Sequence, residues 1–152
     1  MPSYLVVMDE TGEARVALRW AARRAARSGG GVVILAVVPP QELVEWGGVQ
    51  AAIEEEARLR AEAMVLEASG AIMEEAGIRP SILVRQGEPV KLIGEILKAE
   101  EGDIAALVLG AAAEGGPGPL VSHVAGSVAG SLPCPLVIVP GRLGDDALDR
   151  LS

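Results

Sequence analysis

The sequence predicts a single α/β domain built on a doubly wound, five-stranded, largely parallel sheet. Half of its 152 residues are hydrophobic, yet it has only two Trp, one Tyr and no Phe, so its core is aliphatic. Five short apolar runs alternate with longer segments of helical character. Apolar runs of this kind are typical of strands covered on both faces, which parallel strands joined through helices provide. A chain of this length forms one domain without disulfides.

The strands are predicted in five places along the chain. They are YLVVM from Tyr4, GVVILAVV from Gly31, SILVRQ from Ser81, IAALVLG from Ile104 and PLVIV from Pro135. Each run has the length of an ordinary strand. Because a helical segment or a turn-rich segment separates each run from the next, we expect right-handed crossovers between parallel strands.

The segment after the first strand predicts a helix that ends at a glycine cluster. Arginines stand four residues apart on one face, and we expect them to form a solvated stripe: Arg15, Arg19, Arg23 and Arg27. The following SGGG predicts the end of the helix. Because these glycines lead into a strand, they lie at the edge of the sheet opposite to the one that binds ligands.

A long second helix is predicted over residues 50–75. One face is expected to be core and carries Ile53, Ala57, Ala61, Met64, Ala68 and Ile72. Residues 42–75 include nine Glu but only two basic residues, Arg58 and Arg60, which is typical of a solvated surface. The stretch before this helix is predicted to be irregular. Its Trp46 either packs against the domain, which we prefer, or covers a ligand or partner.

A third helix is predicted to begin at QGEPVKLIGEIL. Pro89 suits the first helical turn, and Glu88 beside it complements the helix dipole. The buried side is expected to consist of Val90, Ile93, Ile96 and Leu97. A last helix lies between residues 119 and 132. The domain is predicted to span residues 1–141, and the polar tail of residues 142–152 is expected to fray.

Composition excludes several classes of partner. The net charge is -8 and the only lysines are Lys91 and Lys98, so nucleic acid and anionic membranes are not expected partners. No apolar run is long enough to span a bilayer, and no basic segment precedes an apolar stretch at the N-terminus. A cytoplasmic location is therefore expected.

Chemically reactive residues are few. Cys134 stands between two prolines and is expected to be a buried, inert thiol. His123 follows Ser122 directly, so on a helix the two side chains point in different directions and do not form a nucleophile and base. We prefer a partly buried or capping histidine to one that donates to a phosphate. The spacing provides no metal-ligand set.

Several stretches, in this order, resemble the universal stress protein family over nearly the whole chain. They are YLVVMDETGEARVALRWAARRAA, LAVVPP, VRQGEPVKLIGEI, DIAALVLG and LPCPLVIVPG. The resemblance implies a Rossmann-like, adenine nucleotide alpha hydrolase-like fold with strand order 3-2-1-4-5. In many members of the family ATP lies across the switch point, beside the first and fourth strands.

The resemblance also implies site residues. Asp9 matches the acidic residue that approaches the adenosine, and Val37 matches the position that contacts adenine through its backbone. Gly110 matches the first glycine of the phosphate-binding signature, and we expect Gly110→Val to abolish binding by blocking the phosphates. Ala113 takes the second glycine's place, which departs from the signature. ATP or AMP is the expected ligand, and Mg²⁺ could accompany it near Asp9.

The rest of the signature fits in two registers. In the first, Gly116 is followed after nine residues by Gly126 and Ser127, which leaves only about seven residues for the last helix. In the second, which we prefer, the helix starts near Pro119. Ser122 then falls near the position where the signature has its glycine and serine. Gly126 and Ser127 then lie inside the helix, where close packing on the sheet would explain their small size.

The loop itself leaves two interpretations open. Gly116 and Gly118 precede a helix start, as in a phosphate-binding loop, but Pro117 and Pro119 have no amide to donate. The segment is not a P-loop, because no Gly-Lys-Ser/Thr follows. It is either a retained nucleotide site or a stiff loop that binds nothing.

Two functions are therefore weighed. The first is a stress-response module that binds ATP or AMP. The second is a dimeric interaction module without a nucleotide. An enzyme is not expected, since slow ATP hydrolysis rests on the resemblance alone. The run PLVIVPG predicts an exposed apolar edge strand, and we expect a homodimer formed through it.

Overall fold

Five parallel strands form one sheet in a computed structural model that describes residues 2–40 and 48–152. The strands are β1 Ser3–Met8, β2 Gly31–Val38, β3 Ser81–Gln86, β4 Ile104–Ala111 and β5 Leu136–Pro140. All four neighbouring pairs are parallel, in the order β3-β2-β1-β4-β5. The predicted fold class and strand order are confirmed.

The helices follow the predicted crossovers. They are α1 Gly12–Ser28, α2 Gly48–Ala76, α3 Pro89–Ala99, α4 Pro119–His123 and α5 Asp145–Leu151. A π-helical turn, Val124–Val128, and a 3₁₀ turn, Ala129–Ser131, continue α4. The helix therefore starts at the proline that the preferred register requires. Trp46 and the prediction made for it lie outside the described residues.

Two aliphatic clusters cover the two faces of the sheet. Because side chains alternate along a strand, Val6 and Met8 of β1 join α1 and α2 on one face. Leu5 and Val7 join α3 and α4 on the other. β1 is thus buried on both faces, as its apolar run predicts. This places the carboxyl end of β1 at the centre of one edge of the sheet.

The buried face of α2 differs from the prediction at one end. Met64 and Ala68 pack against the core and Ile72 is buried, as expected. Ile53, however, is 48% exposed, so its assignment to the core is wrong. Val65 is buried instead. It shares a helix face with Ala68 and Ile72, whereas Ile53 points well away from that face.

The residues after Gly141 do not fray as predicted. They form α5, whose Leu148 is completely buried (0% exposed). The Trp20 Nε1–H donates to the carbonyl of Leu151 at 3.1 Å. The Ser152 hydroxyl donates to the Leu148 carbonyl, and Ser152 is buried as well. One apolar anchor thus fixes a short polar helix to α1.

The arginines of α1 hold this helix and are not simply a solvated stripe. The Arg19 guanidinium lies 3.0 Å from Glu75 of α2 and 2.6 Å from Asp145 of α5. The Arg23 Nε donates to Asp149 at 2.8 Å. The hydrogen bond with Arg19 lowers the pKa of Asp145, whose carboxylate is exposed. Exposed pairs contribute little individually, so the arginines mainly orient α5 over its buried leucine.

Candidate nucleotide-binding cleft

A cleft of about 140 Å³ opens at the carboxyl ends of β1 and β4. Asp9, Thr11, Gly110 and Gly118 are among its lining residues. The chain proceeds from β1 outward to β3 in one direction and from β4 to β5 in the other, so this is the switch point of the sheet. Open α/β sheets bind their ligands at that point.

A second hollow of about 220 Å³ adjoins the cleft on the side of β2. Its lining includes Val37, Met64 and Arg60. Asp9 lines both spaces and therefore marks the place where they meet. The structure thus brings Asp9, Gly110 and Gly118 to one cleft and Val37 to its neighbour.

The first turn of α1 orients the Asp9 carboxylate. Both the amide of Thr11, at 2.9 Å, and its hydroxyl donate to Asp9 Oδ1. Thr11 in turn is the N-cap of α1, and its Oγ1 accepts from the Ala14 amide at 3.2 Å. Sequence reasoning missed Thr11, although a threonine just before a helix is a common capping signal.

Gly110 has a packing role that was not predicted. A Cβ at this position would lie 2.1 Å from the Glu13 carbonyl oxygen and 2.5 Å from its carbon. A Cβ at Gly141 would likewise meet the Ala111 oxygen and the Glu13 Cβ, each at 2.8 Å. The first turn of α1 is thus pressed against the ends of β4 and β5. Gly110→Val would strike this turn, so it is not a clean probe of phosphate binding.

The glycine-rich loop after β4 requires glycine at three positions. Gly115, Gly116 and Gly118 have φ values of 76°, 89° and 99°, which other residues rarely adopt. The amide of Ala112 donates to the Pro117 carbonyl at 3.2 Å and closes the loop. Glycines here therefore serve the turn itself. Of the three, only Gly118 lines the cleft.

The remaining predicted site residues lie outside the cleft lining. Ser122 is exposed on α4, and Gly126 and Ser127 are exposed in the π-helical turn. A Cβ at Gly126 would meet nothing within 4 Å, so the expected close packing of this glycine on the sheet is wrong. Val121 and Val124 form the buried face of this segment, which turns Gly126 and Ser127 outward. Their part in binding stays a prediction.

Charge around the cleft is mainly negative. Asp9 and Glu13 line the cleft, and Glu10 lines the adjoining hollow together with Arg60. Glu88, at the start of α3 and outside the lining of both spaces, accepts from the amides of Val90 and Lys91, at 3.0 and 2.9 Å. These hydrogen bonds lower its pKa. Because Asp9 and Glu13 repel negative groups, a negatively charged ligand would fit this cleft only with a bound cation or with few negative charges.

Two reactive side chains singled out by the sequence, Cys134 and His123, lie outside the cleft lining. Cys134 is only partly buried, not fully buried as predicted, but this burial still raises the pKa of its thiol, which makes it a poor nucleophile. His123 is exposed and its side chain makes no capping hydrogen bond, contrary to the preference for a partly buried or capping residue. Within residues 2–40 and 48–152, no group of three or more His, Cys, Asp or Glu could hold a metal ion. No helix there is long and apolar enough to cross a membrane.

An open parallel sheet with a cleft at its switch point defines a class of α/β ligand-binding domains. Within that class, a sequence model of the universal stress protein family matches residues 3–140. The chain belongs to the universal stress protein family, as its motifs predicted. No curated protein sequence matches it.

Solved structures support the same fold. Universal stress protein UspA from Lactobacillus plantarum has a TM-score of 0.75 and 18% identity, covering 91% of this chain and 97% of that one. An Archaeoglobus fulgidus universal stress protein in complex with dAMP has a TM-score of 0.56 and 22% identity, and the match covers 91% of this chain and 98% of that one. An Arabidopsis thaliana family member with AMP bound has a TM-score of 0.59 and 16% identity, and the match covers 96% of this chain and 95% of that one.

Proposed function

We propose that this chain is a cytoplasmic stress-response module that binds ATP or AMP at the carboxyl ends of β1 and β4. The observation that carries the proposal is the position of Asp9, which a threonine orients at the junction of two adjoining hollows. Family members from Arabidopsis thaliana and Archaeoglobus fulgidus bind AMP and dAMP, which supports an adenine nucleotide here.

The two hollows suit the two ends of a nucleotide. The one beside β2 is lined by apolar groups, among them Val37, Val38 and Met64, which can contact the faces of an adenine ring. Asp9 stands between the hollows, where a carboxylate can accept hydrogen bonds from ribose hydroxyls. The cleft beside Gly118 then remains for the phosphates. Ser122, Gly126 and Ser127 would take part only if the loop and α4 moved toward the ligand.

The charge of the cleft favours either few phosphates or a bound cation. Asp9 and Glu13 repel a polyphosphate, and Pro117 and Pro119 offer no amides to bind it. Mg²⁺ is commonly held by one or two carboxylates together with phosphates, and Asp9 provides such a carboxylate. We therefore propose that AMP binds without metal, whereas ATP binds with Mg²⁺.

Nucleotide binding is tested by mass spectrometry of small molecules released from the purified protein, followed by calorimetric titration with AMP and with ATP. Asp9→Asn should weaken AMP binding about 10- to 150-fold, because loss of one charged hydrogen bond costs about 1.5–3 kcal/mol. Asp146→Asn makes the same chemical change on α5 and should leave binding unchanged. Absence of saturable binding at millimolar nucleotide would disprove the proposal, and equal loss in both variants would remove Asp9 from it.

A ligand-free dimer is the second candidate. β5 is an edge strand that pairs only with β4 in the described sheet, and its Ile138 is 39% exposed. An exposed apolar edge is usually paired or covered. We propose that two copies meet there about a two-fold axis, with the same stretch contributed by each.

Ile138→Lys should shift such a dimer toward monomer in light scattering, because it places a charge in the apolar contact. Val137 is a poorer choice, because it packs against the core and its replacement would report on folding. Leu151→Lys, at a residue that is 56% exposed on α5, is the matched control. A dimer that resists Ile138→Lys, or a wild-type protein that stays monomeric at tens of micromolar, would exclude this interface.

A further inference from the structure

Helix α2 carries a second apolar face that residues 2–40 and 48–152, the described part of the chain, leave exposed. Leu59, Ala63, Leu66, Gly70 and Met73 are all exposed, and Leu66 is 66% exposed in the middle of the helix. This set is called the outer seam. It lies on the opposite side of α2 from the buried Val65 and Ile72. Single exposed apolar residues are common, but five aligned positions on one helix are not.

The spacing of the outer seam is that of a coiled coil. Its members are separated by four, three, four and three residues, which is the heptad pattern of a helix that packs along another helix. The large side chains are Leu59, Leu66 and Met73, at every seventh position. The small residues Ala63 and Gly70 alternate with them. Such a surface fits a partner helix with the same alternation.

Nothing in the described part of a single copy explains Gly70. A glycine inside a helix costs about 1 kcal/mol relative to alanine. Yet a Cβ at Gly70 would meet nothing within 4 Å, so the copy's own packing does not demand it. A helix laid along the outer seam would approach Gly70 closely and would use the space that a side chain would fill.

We propose that a second copy of this chain packs its α2 antiparallel against the outer seam. In the register where paired residue numbers add to 129, Leu59 lies over Gly70 of the second copy and Leu66 lies over Ala63. Leu59 and Leu66 then each face a small residue, and the two-fold axis repeats both contacts. Met73 lies over Glu56 of the second copy, beyond the end of the seam. A parallel arrangement would instead place Gly70 against Gly70 and leave a gap.

The flanking charges favour the same arrangement. In the antiparallel register Arg60 lies beside Glu67 of the second copy, and symmetry provides this attractive pair twice. Glu62 lies beside Ser69, which carries no charge. In a parallel pair Glu62 would lie beside Glu67, and the two carboxylates would repel each other. Shape and charge thus select one orientation.

This surface is separate from the edge of β5. α2 packs over β2 and β3, whereas β5 is at the other end of the sheet. The proposal therefore does not depend on the strand-edge dimer, and of the residues it uses Arg60 alone also lines the hollow proposed for adenine. Its contact length is modest, so the affinity is expected to be micromolar and not that of an obligate dimer.

Sedimentation velocity of the full chain up to roughly 300 µM tests the pairing. The wild type should form dimers, and Leu66→Lys should weaken them at least about tenfold because it sets a charge in the seam. Leu151→Lys and Ile138→Lys should leave this dimer in place. A monomeric wild type, or a dimer that Ile138→Lys breaks and Leu66→Lys does not, would overturn the proposal.

Two further measurements guard against an indirect effect. Gly70→Gln should raise the Tm of dilute protein, because glutamine favours a helix, and yet weaken the dimer. Spin labels in a Cys134→Ser background report orientation. In the antiparallel pair, the two labels at Glu62→Cys, one in each copy, should be close, because their positions are offset by about 8 Å along the helix axis. The two labels at Glu74→Cys should be far apart, because their positions are offset by about 28 Å. Equal distances, or a Gly70→Gln dimer as strong as the wild type, would overturn the antiparallel seam.

Discussion

Gly110→Ala is expected to destabilise the protein by at least about 3 kcal/mol, enough to prevent folding of a marginal domain. The added Cβ would lie 2.1 Å from the Glu13 carbonyl oxygen, which is backbone and cannot rotate away. Relief would require the first turn of α1 to move off β4, together with its contacts to Gly141. Thermal unfolding followed by circular dichroism measures the effect.

Gly94→Ala provides the control for Gly110→Ala. Gly94 lies in α3 and is exposed, and a Cβ there would meet nothing within 4 Å. Alanine should therefore stabilise the helix by up to about 1 kcal/mol. If both variants unfold at the temperature of the wild type, the close approach of α1 and β4 is not real.

Leu148→Ala is expected to lower the free energy of unfolding by about 2–5 kcal/mol, because it empties a fully buried site under α5. Without this anchor, the ion pairs of Arg19 and Arg23 with α5 are too exposed to keep the helix in place. Urea unfolding gives the free energy. Hydrogen exchange of the α5 amides shows whether the helix also detaches in the native state.

Leu151→Ala makes the same substitution three residues later. Leu151 is 56% exposed, and its contribution to the contact with Trp20 is its backbone carbonyl, which alanine retains. We expect a change within about 0.5 kcal/mol. Equal effects of the two substitutions would mean that α5 is not docked through Leu148.

The fold could be predicted because its signals are local. Apolar runs such as GVVILAVV show strands buried on both faces, and the glycine cluster after α1 ends that helix, with Gly29 at φ 74°. The order of the strands in the sheet has no such local signal, since periodicity contains no information about which strands are neighbours. It came from the family resemblance, and the structure confirms it.

Features that depend on distant contacts could not be predicted. Four arginines at helical spacing indicate a solvated stripe, and nothing local shows that Arg19 meets Asp145, which is 126 residues away. Gly110 matched a phosphate signature, but a Cβ at this position would meet the backbone of Glu13. The position of Asp9 came from the resemblance, whereas its partner Thr11 could have been found from the capping pattern.

The two walls of the cleft differ in how freely they can yield to a ligand. The wall formed by the start of α1 is wedged against β4 and β5 at Gly110 and Gly141, so it cannot retreat without disturbing the sheet. The opposite wall is formed by Pro117, Gly118 and Pro119. They follow Gly115 and Gly116, whose backbones can rotate at little cost. Any widening of the cleft of about 140 Å³ around bound phosphates therefore has to come from the side of these glycines. The cleft can thus adapt to a ligand on one side only, by movement of the loop after β4, while the start of α1 stays in place.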